Sequence, residues 1–97
     1  MVSVGDRVRL VVNHPDGDTE RVIGDEGTAL VVRNHTRYNV LVEFDRYTAN
    51  GHNGAILDGV VHRCPNGHGW WVSFDEIEVI ESELEPINLD IKELFGA

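Results

Sequence analysis

Short β-prone runs, separated by glycine, proline and aspartate, follow one another through the first 80 residues of this chain. In the first run, Val8 and Leu10 alternate with Arg7 and Arg9, which is the pattern of a strand that buries one face. Turn residues stand between the runs, because proline presets φ and glycine accepts a positive φ. The predicted strands are residues 6–12, 28–33, 38–45, 69–74 and 77–80. This pattern predicts an all-β fold with tight turns.

A chain of 97 residues with five strands suits a closed or nearly closed sheet better than a two-layer α/β fold. Four residues join the second strand to the third, which predicts a hairpin. Residues 73–76 are predicted to form a turn or a single 3-10 turn before the last strand. We therefore predict a small five-stranded SH3-like β-barrel over residues 1–80, with a long loop before strand 4. Residues 81–97 are predicted to be an acidic C-terminal tail that contains a short helix.

The long loop covers residues 46–67 and contains four glycines, two histidines, one proline and the only cysteine. Loops of this length in a compact domain are usually functional or disordered. An apolar patch lies within it, made of Ala55, Ile56, Leu57, Val60 and Val61. This patch indicates that the loop is at least partly ordered and includes a short strand.

The charge of the chain argues against two kinds of partner. Seventeen acidic and eight basic residues give a formal net charge of −9. A general nucleic-acid binder needs a basic surface to release counterions, and an anionic membrane attracts basic segments, so we expect neither partner.

Other features of the sequence bear on its location. Because it has no run of about 18 apolar residues, we expect no transmembrane helix. Its start lacks the apolar stretch of a signal peptide, and Cys64 is the only cysteine. These features predict a cytoplasmic protein without an internal disulfide.

The tail carries a net charge of −4, which is nearly half of the total. Asn88 is the predicted N-cap of a helix over residues 89–95, in which Ile91, Leu94 and Phe95 share one face. A helix this short is not stable by itself. The tail therefore packs on the barrel, binds a partner protein or a second copy of this chain, or stays disordered. Leu94 and Phe95 are candidate binding residues, since an acidic segment with Leu-Phe suits a hydrophobic groove with a basic rim.

Several segments of the predicted barrel resemble known groups of proteins. Residues 4–8 (VGDRV), 24–28 (GDEGT) and 42–45 (VEFD) resemble the small SH3-like barrels of the KOW and Mind-bomb groups. Residues 51–52 (GH), 67–72 (GHGWWV) and 77–80 (IEVI) resemble small uncharacterised bacteriophage proteins more closely. In those proteins a cysteine follows the Gly-His pair, where this chain has Asn53 and Gly54. The resemblance covers residues 3–80, implies the fold and no established activity, and would place a phage-encoded protein in the host cytoplasm.

Four side chains that commonly bind metals lie in or beside the long loop. They are His52, His62, Cys64 and His68. Neutral imidazole and thiolate are the usual ligands of Zn²⁺, and a structural site holds four of them in a tetrahedron. A zinc ion would order a loop that is too polar to pack by itself. The alternative is that His68 hydrogen-bonds within a glycine turn, His62 is exposed and no cofactor is bound.

Two adjacent tryptophans, Trp70 and Trp71, lie in the fourth predicted strand. Because neighbours in a strand point to opposite faces, one of them packs in the core and the other lies outside. An exposed tryptophan, together with Tyr47 of the long loop, would offer an aromatic surface to a peptide. The alternative is that the long loop folds over the outer tryptophan and buries it.

The sequence offers no arrangement typical of catalysis, and we expect no enzyme. Asp75 and Glu76 are turn acids of the kind that solvent or local amides satisfy. Residues 24–27 lack the lysine of a phosphate-binding loop. Cys64 and His62 could imitate a nucleophile and its base, but such pairs normally come from distant segments and have a third, orienting group.

We therefore predict a non-enzymatic protein-interaction module, phage-encoded if the resemblance holds, whose acidic surface binds a partner with a basic surface. Two alternatives stay open. A nucleic-acid-associated accessory domain of the transcription or translation type would use a local basic face made of Arg7, Arg9, Arg33 and Arg37. A small structural metal-binding domain would use the histidines and the cysteine of the loop.

Overall fold

This computed structural model describes residues 2–34 and 37–81. These residues contain seven strands and two short 3-10 helices. In chain order they are β1 (Arg7–Leu10), η1 (Pro15–Gly17), β2 (Glu26–Val32), β3 (Val40–Phe44), β4 (Gly54–Leu57), β5 (Val60–Arg63), β6 (Gly69–Val72), η2 (Phe74–Glu76) and β7 (Ile77–Glu81). The prediction of an all-β fold is confirmed. The predicted tail helix, with Leu94 and Phe95, lies outside the described residues.

Five of the strands form one antiparallel sheet in the order β6-β3-β2-β1-β7. Within the described residues β6 and β7 are its two edges and no pairing joins them, so the prediction of a closed barrel is wrong. The chain nevertheless passes from one edge to the other through residues 73–76 alone. Five residue steps span at most roughly 17 Å, which requires a strongly curved sheet. The 3-10 helix η2 lies in this connection.

The core lies on one face of this sheet and follows from the alternation of side chains along each strand. Its buried residues are Val2, Val8, Leu10, Ala29, Val40, Val42, Phe44, Val72 and Ile77, with Val32, Trp70 and Phe74 packed against them. Directly paired residues share a face, and the pairs Val42–Trp70 and Val40–Val72 continue the core onto β6.

A smaller apolar cluster lies on the opposite face. A register shift between Ala29 and Val31 directs Val31 away from the core, and Val31 pairs with Leu41, which pairs with Trp71. Leu41 is fully buried although it points away from the main core. The sheet is therefore covered on both faces at this end, which alternation alone does not predict.

The long loop contains a β-hairpin, where the sequence predicted one short strand. Strands β4 and β5 pair in antiparallel fashion and form a separate two-stranded sheet. Asp58 (φ 50°) and Gly59 (φ 78°) connect them, and two consecutive residues with positive φ are typical of a type I′ turn. An Asp-Gly pair between apolar residues is a strong hairpin signal, and it was present in the sequence.

Candidate functional site

The segment between β3 and β6 contains the β4–β5 hairpin, and we call it the hairpin insertion. Arg21 is fully buried at its base. Its Nη1 donates a hydrogen bond to the carbonyl oxygen of Arg46 at 2.7 Å, and its Nη2 donates to the carbonyl oxygens of Gly67 at 3.3 Å and His68 at 3.4 Å. The residues that follow β3 and the residues that precede β6 therefore bond the same guanidinium group. We call Arg21 and these three carbonyl groups the arginine clamp.

Two further contacts offset the cost of burying this charge. The guanidinium carbon lies 4.2 Å from the centre of the Phe44 ring, a cation–π geometry. Its Nε lies 3.9 Å from Oδ2 of Asp18, a carboxylate that is also fully buried, and these two atoms attract by charge without a hydrogen bond. Burial lowers the pKa of Arg21, while nearby carboxylates act in the opposite direction. The clamp therefore joins the loop between β1 and β2 to both ends of the insertion.

Glycines allow the two ends of the insertion to touch. The N–H of Thr48 donates to the carbonyl oxygen of Gly67 at 2.9 Å. A Cβ on Gly51 would lie 2.4 Å from that same oxygen, so no larger residue fits there without a shift. Gly67 has φ +87°, and a Cβ on it would lie 2.2 Å from the Tyr47 ring. These contacts form a narrow neck from which the hairpin extends.

The hairpin exposes large apolar side chains on both of its faces. Ile56 and Val61 pair and share one face, and they are 70% and 49% exposed. Val60, which is 55% exposed, pairs with Leu57 on the other face. An isolated two-stranded hairpin is marginally stable in water. Exposed apolar side chains that lie together commonly mark a surface that contacts another protein.

The four predicted metal ligands do not converge. In the described part of the chain, no three histidine, cysteine, aspartate or glutamate side chains are placed to hold a metal ion together. Nδ1 of His52 accepts the N–H of Gly54 at 3.2 Å, and Nδ1 of His68 donates to the carbonyl oxygen of Phe44 at 2.8 Å. His62 lies on β5 opposite Ala55. The zinc site stays a prediction.

His52 and Cys64 are nevertheless brought together at the start of β6. The two residues lie beside Gly69, and the Cys64 thiol donates to the carbonyl oxygen of His52 with an S–O distance of 3.8 Å. Burial raises the pKa of the Cys64 thiol, and the charge of Glu43 adds to this effect. Burial also lowers the pKa of His52. Both side chains therefore favour their neutral forms.

The two tryptophans point to opposite faces of the sheet, as alternation predicts, but both are half-buried. Trp70 packs against the core, donates its indole N–H to the carbonyl oxygen of Pro15 at 2.9 Å, and lies 6.0 Å from the His52 ring. Trp71 joins the smaller cluster with Leu41. Tyr47 is exposed and meets the His68 ring edge-on at 6.2 Å. The binding role of these aromatic residues stays a prediction.

Three arginines at the surface form ion pairs. Arg7 bonds Asp45 and lies 3.6 Å from Glu26, Arg9 pairs with Glu78, and Arg46 bonds Asp25 at 2.7 Å. Arg7 and Arg9 share one face of β1, next to these carboxylates. The arginines of this face are therefore matched by acids within the fold.

Arg7→Gln should raise the pKa of Asp45 towards the usual range of a carboxyl group. Hydrogen bonds from Arg7 lower the pKa of Asp45, and they outweigh the partial burial that opposes them. Because the folded pKa is lowered, the pair stabilises the fold above the unfolded pKa of about 3.9, and this contribution is lost as the pH falls through the folded pKa. Carbon-detected NMR titration of the Asp45 carboxyl group measures the shift.

Arg9→Gln is the matched control, because Arg9 lies on the same strand and pairs with Glu78 instead. It should leave the pKa of Asp45 nearly unchanged. An unchanged Asp45 pKa in Arg7→Gln would contradict the ion pair. Both partners are partly exposed, so we expect only a small change in stability.

Comparison of the chain with protein-family models and with curated proteins gives no match. In the described residues, no helix is long and apolar enough to cross a membrane. Sequence reasoning did not identify Arg21 or Asp18 as a buried pair. Their spacing of three residues within a turn-rich loop gives no signal that either is buried.

Proposed function

We propose that this chain is a non-enzymatic protein-interaction module that contacts its partner with the β4–β5 hairpin. The observation that carries this proposal is the exposure of Ile56, Val60 and Val61 on a hairpin that has its own separate sheet. A partner that covered these side chains would gain about 1.5–3 kcal/mol for each one fully buried. The arginine clamp holds the base of the hairpin, so little of that gain would be lost in ordering it.

The expected partner has a basic surface, because the chain carries a net charge of −9. The net negative charge of the chain would steer such a partner and speed the encounter. The nucleic-acid alternative relied on Arg7, Arg9, Arg33 and Arg37. Two of these, Arg7 and Arg9, are paired with carboxylates, which favours a protein partner over a polyanion.

The SH3-like assignment and the relationship to phage proteins belong to the same proposal. The sheet order places the first three main-sheet strands side by side and the last two at the edges, with a 3-10 helix between those two. This order supports an SH3-like arrangement of strands in a sheet that has no hydrogen-bonded closure. Association of two copies through the acidic tail and a structural zinc ion in the loop stay predictions.

Ile56→Lys should lower recovery of the partner about tenfold or more in a pull-down from bacterial lysate with the full chain as bait. The substitution places a charge at the most exposed apolar position of the hairpin without touching the core of the main sheet. Thermal unfolding by circular dichroism should give a nearly unchanged Tm.

Ile23→Lys is the matched control, because Ile23 is also an exposed isoleucine, at 59%, and lies between β1 and β2. It should leave recovery of the partner unchanged. Equal recovery of the partner with the unsubstituted chain, Ile56→Lys and Ile23→Lys would show that the hairpin is not part of the interface. Equal loss with both variants would show that exposed apolar residues act without regard to position, which also contradicts the proposal.

A further inference from the structure

A groove outside the hairpin lies between η2 and residues 37–39. Its volume is about 750 Å³, and its lining includes Arg37, Tyr38, Phe74, Asp75 and Glu76. Sites for small ligands commonly have volumes of about 300–1,000 Å³. Aromatic rings and carboxylates together line a space of that size.

The carboxylates of this groove are held in place by η2 itself. Glu76 Oε1 accepts the N–H of Ser73 at 2.8 Å, which is one half of a capping box. The Ser73 hydroxyl lies 2.7 Å from Asp75 Oδ1 and 2.9 Å from Glu76 Oε1. Phe74, which lies between Ser73 and Asp75 in the chain, packs against the core. The acidic side of the groove is thus anchored to the main sheet.

The opposite side of the groove is tied to η2 by Asn39. Its Oδ1 accepts the N–H of Phe74 at 3.4 Å, and its Nδ2 donates to the carbonyl oxygen of Arg33 at 3.0 Å. The guanidinium carbon of Arg37 lies over the Tyr38 ring at 5.5 Å from its centre, within the range of a cation–π contact. The groove therefore already holds one guanidinium group, supplied by the chain itself.

We propose that this groove binds an arginine side chain of a partner protein on the Tyr38 ring and beside Asp75. Arg37 lies over the Tyr38 ring in the free protein and is displaced from it when the partner binds. The groove selects arginine over lysine, because a planar guanidinium group both stacks on an aromatic ring and bonds carboxylates with its fork of donors. The net charge of −9 favours a cationic partner over a neutral one.

This inference goes beyond the proposed function because it concerns a second surface. The hairpin supplies apolar contact, and the groove adds selectivity for one cationic side chain. A negative result with Ile56→Lys would contradict the hairpin proposal only. A negative result in the peptide titration would contradict the groove proposal only.

The test is an NMR titration of the nitrogen-labelled full chain with acetyl-Gly-Arg-Gly amide. We expect saturable shifts of the backbone amides of Tyr38, Phe74 and Asp75. The same peptide with citrulline, a neutral isostere of arginine, should produce no saturable shift there. The lysine peptide should bind more weakly than the arginine peptide.

Three variants separate the groove from general electrostatics. Arg37→Ala should tighten binding of the arginine peptide about two- to fivefold, because it removes the internal competitor on the Tyr38 ring. Asp75→Asn should weaken binding. Arg46→Ala is the matched control, since it makes the same change of charge at an exposed arginine outside both the groove and the hairpin, and it should leave affinity nearly unchanged.

Three results would overturn the inference. They are equal shifts with the citrulline peptide, the same affinity change in Arg37→Ala and Arg46→Ala, and saturable shifts confined to residues outside the groove. Amide spectra of each variant without peptide confirm that its fold is retained.

Discussion

Arg21→Met should lower the free energy of unfolding by about 3–5 kcal/mol, the largest effect we expect from a single change in this chain. The guanidinium group is fully buried, and its loss leaves Asp18 as a buried carboxylate without its counter-charge. It also removes the donor that joins the carbonyl groups at both ends of the hairpin insertion. Urea unfolding followed by tryptophan fluorescence measures the change.

Arg46→Met is the matched control, because Arg46 is an exposed arginine that pairs with Asp25. It should cost no more than about 1 kcal/mol. Adding Asp18→Asn to Arg21→Met should recover part of the lost stability, since a neutral amide is less costly to bury than an unpaired carboxylate. Arg21→Met with a cost no larger than that of Arg46→Met would contradict the clamp.

The strands of the main sheet were predictable because they are rich in β-prone residues and end at turn signals, and in β1 apolar and polar residues also alternate. Val8 and Leu10 reached the core as predicted, although β1 ends at Leu10 and not at residue 12. Residues 11–14 form bends, and the N–H of Leu10 bonds the carbonyl oxygen of Asp25 while its own carbonyl oxygen accepts the N–H of Gly24. A boundary set by a partner from another segment is not encoded locally.

The candidate site was predictable only in part. The apolar patch in the long loop indicated order, and Asp58-Gly59 encoded the hairpin turn. Arg21 is buried because three segments meet around it in the folded chain. From the sequence, an arginine in a turn-rich loop is expected to be exposed to solvent. The sequence likewise shows that His52 and Cys64 lie in one loop, but it does not show the direction of either side chain. Hydrogen bonds to the backbone determine those directions.

Trp70→Ala should lower the free energy of unfolding by about 3 kcal/mol, the second large effect that we expect. The Trp70 ring packs against the core, and its indole N–H bonds the carbonyl oxygen of Pro15 in η1. Trp71→Ala should cost less, about 1–2 kcal/mol, because Trp71 lies on the opposite face with the smaller cluster around Leu41. Urea unfolding followed by circular dichroism compares the two variants without relying on the fluorescence of either ring.

Trp70→Phe separates the two contributions of Trp70, because it keeps an aromatic ring against the core and removes the N–H that Pro15 accepts. It should cost about 1 kcal/mol for the lost hydrogen bond, in addition to a small packing loss. If Trp71→Ala proved the more costly of the two alanine variants, Trp71 would be the main anchor of the sheet and could not serve as a binding surface. The expected order leaves Trp71 as the tryptophan that can be replaced in a binding assay without unfolding the chain.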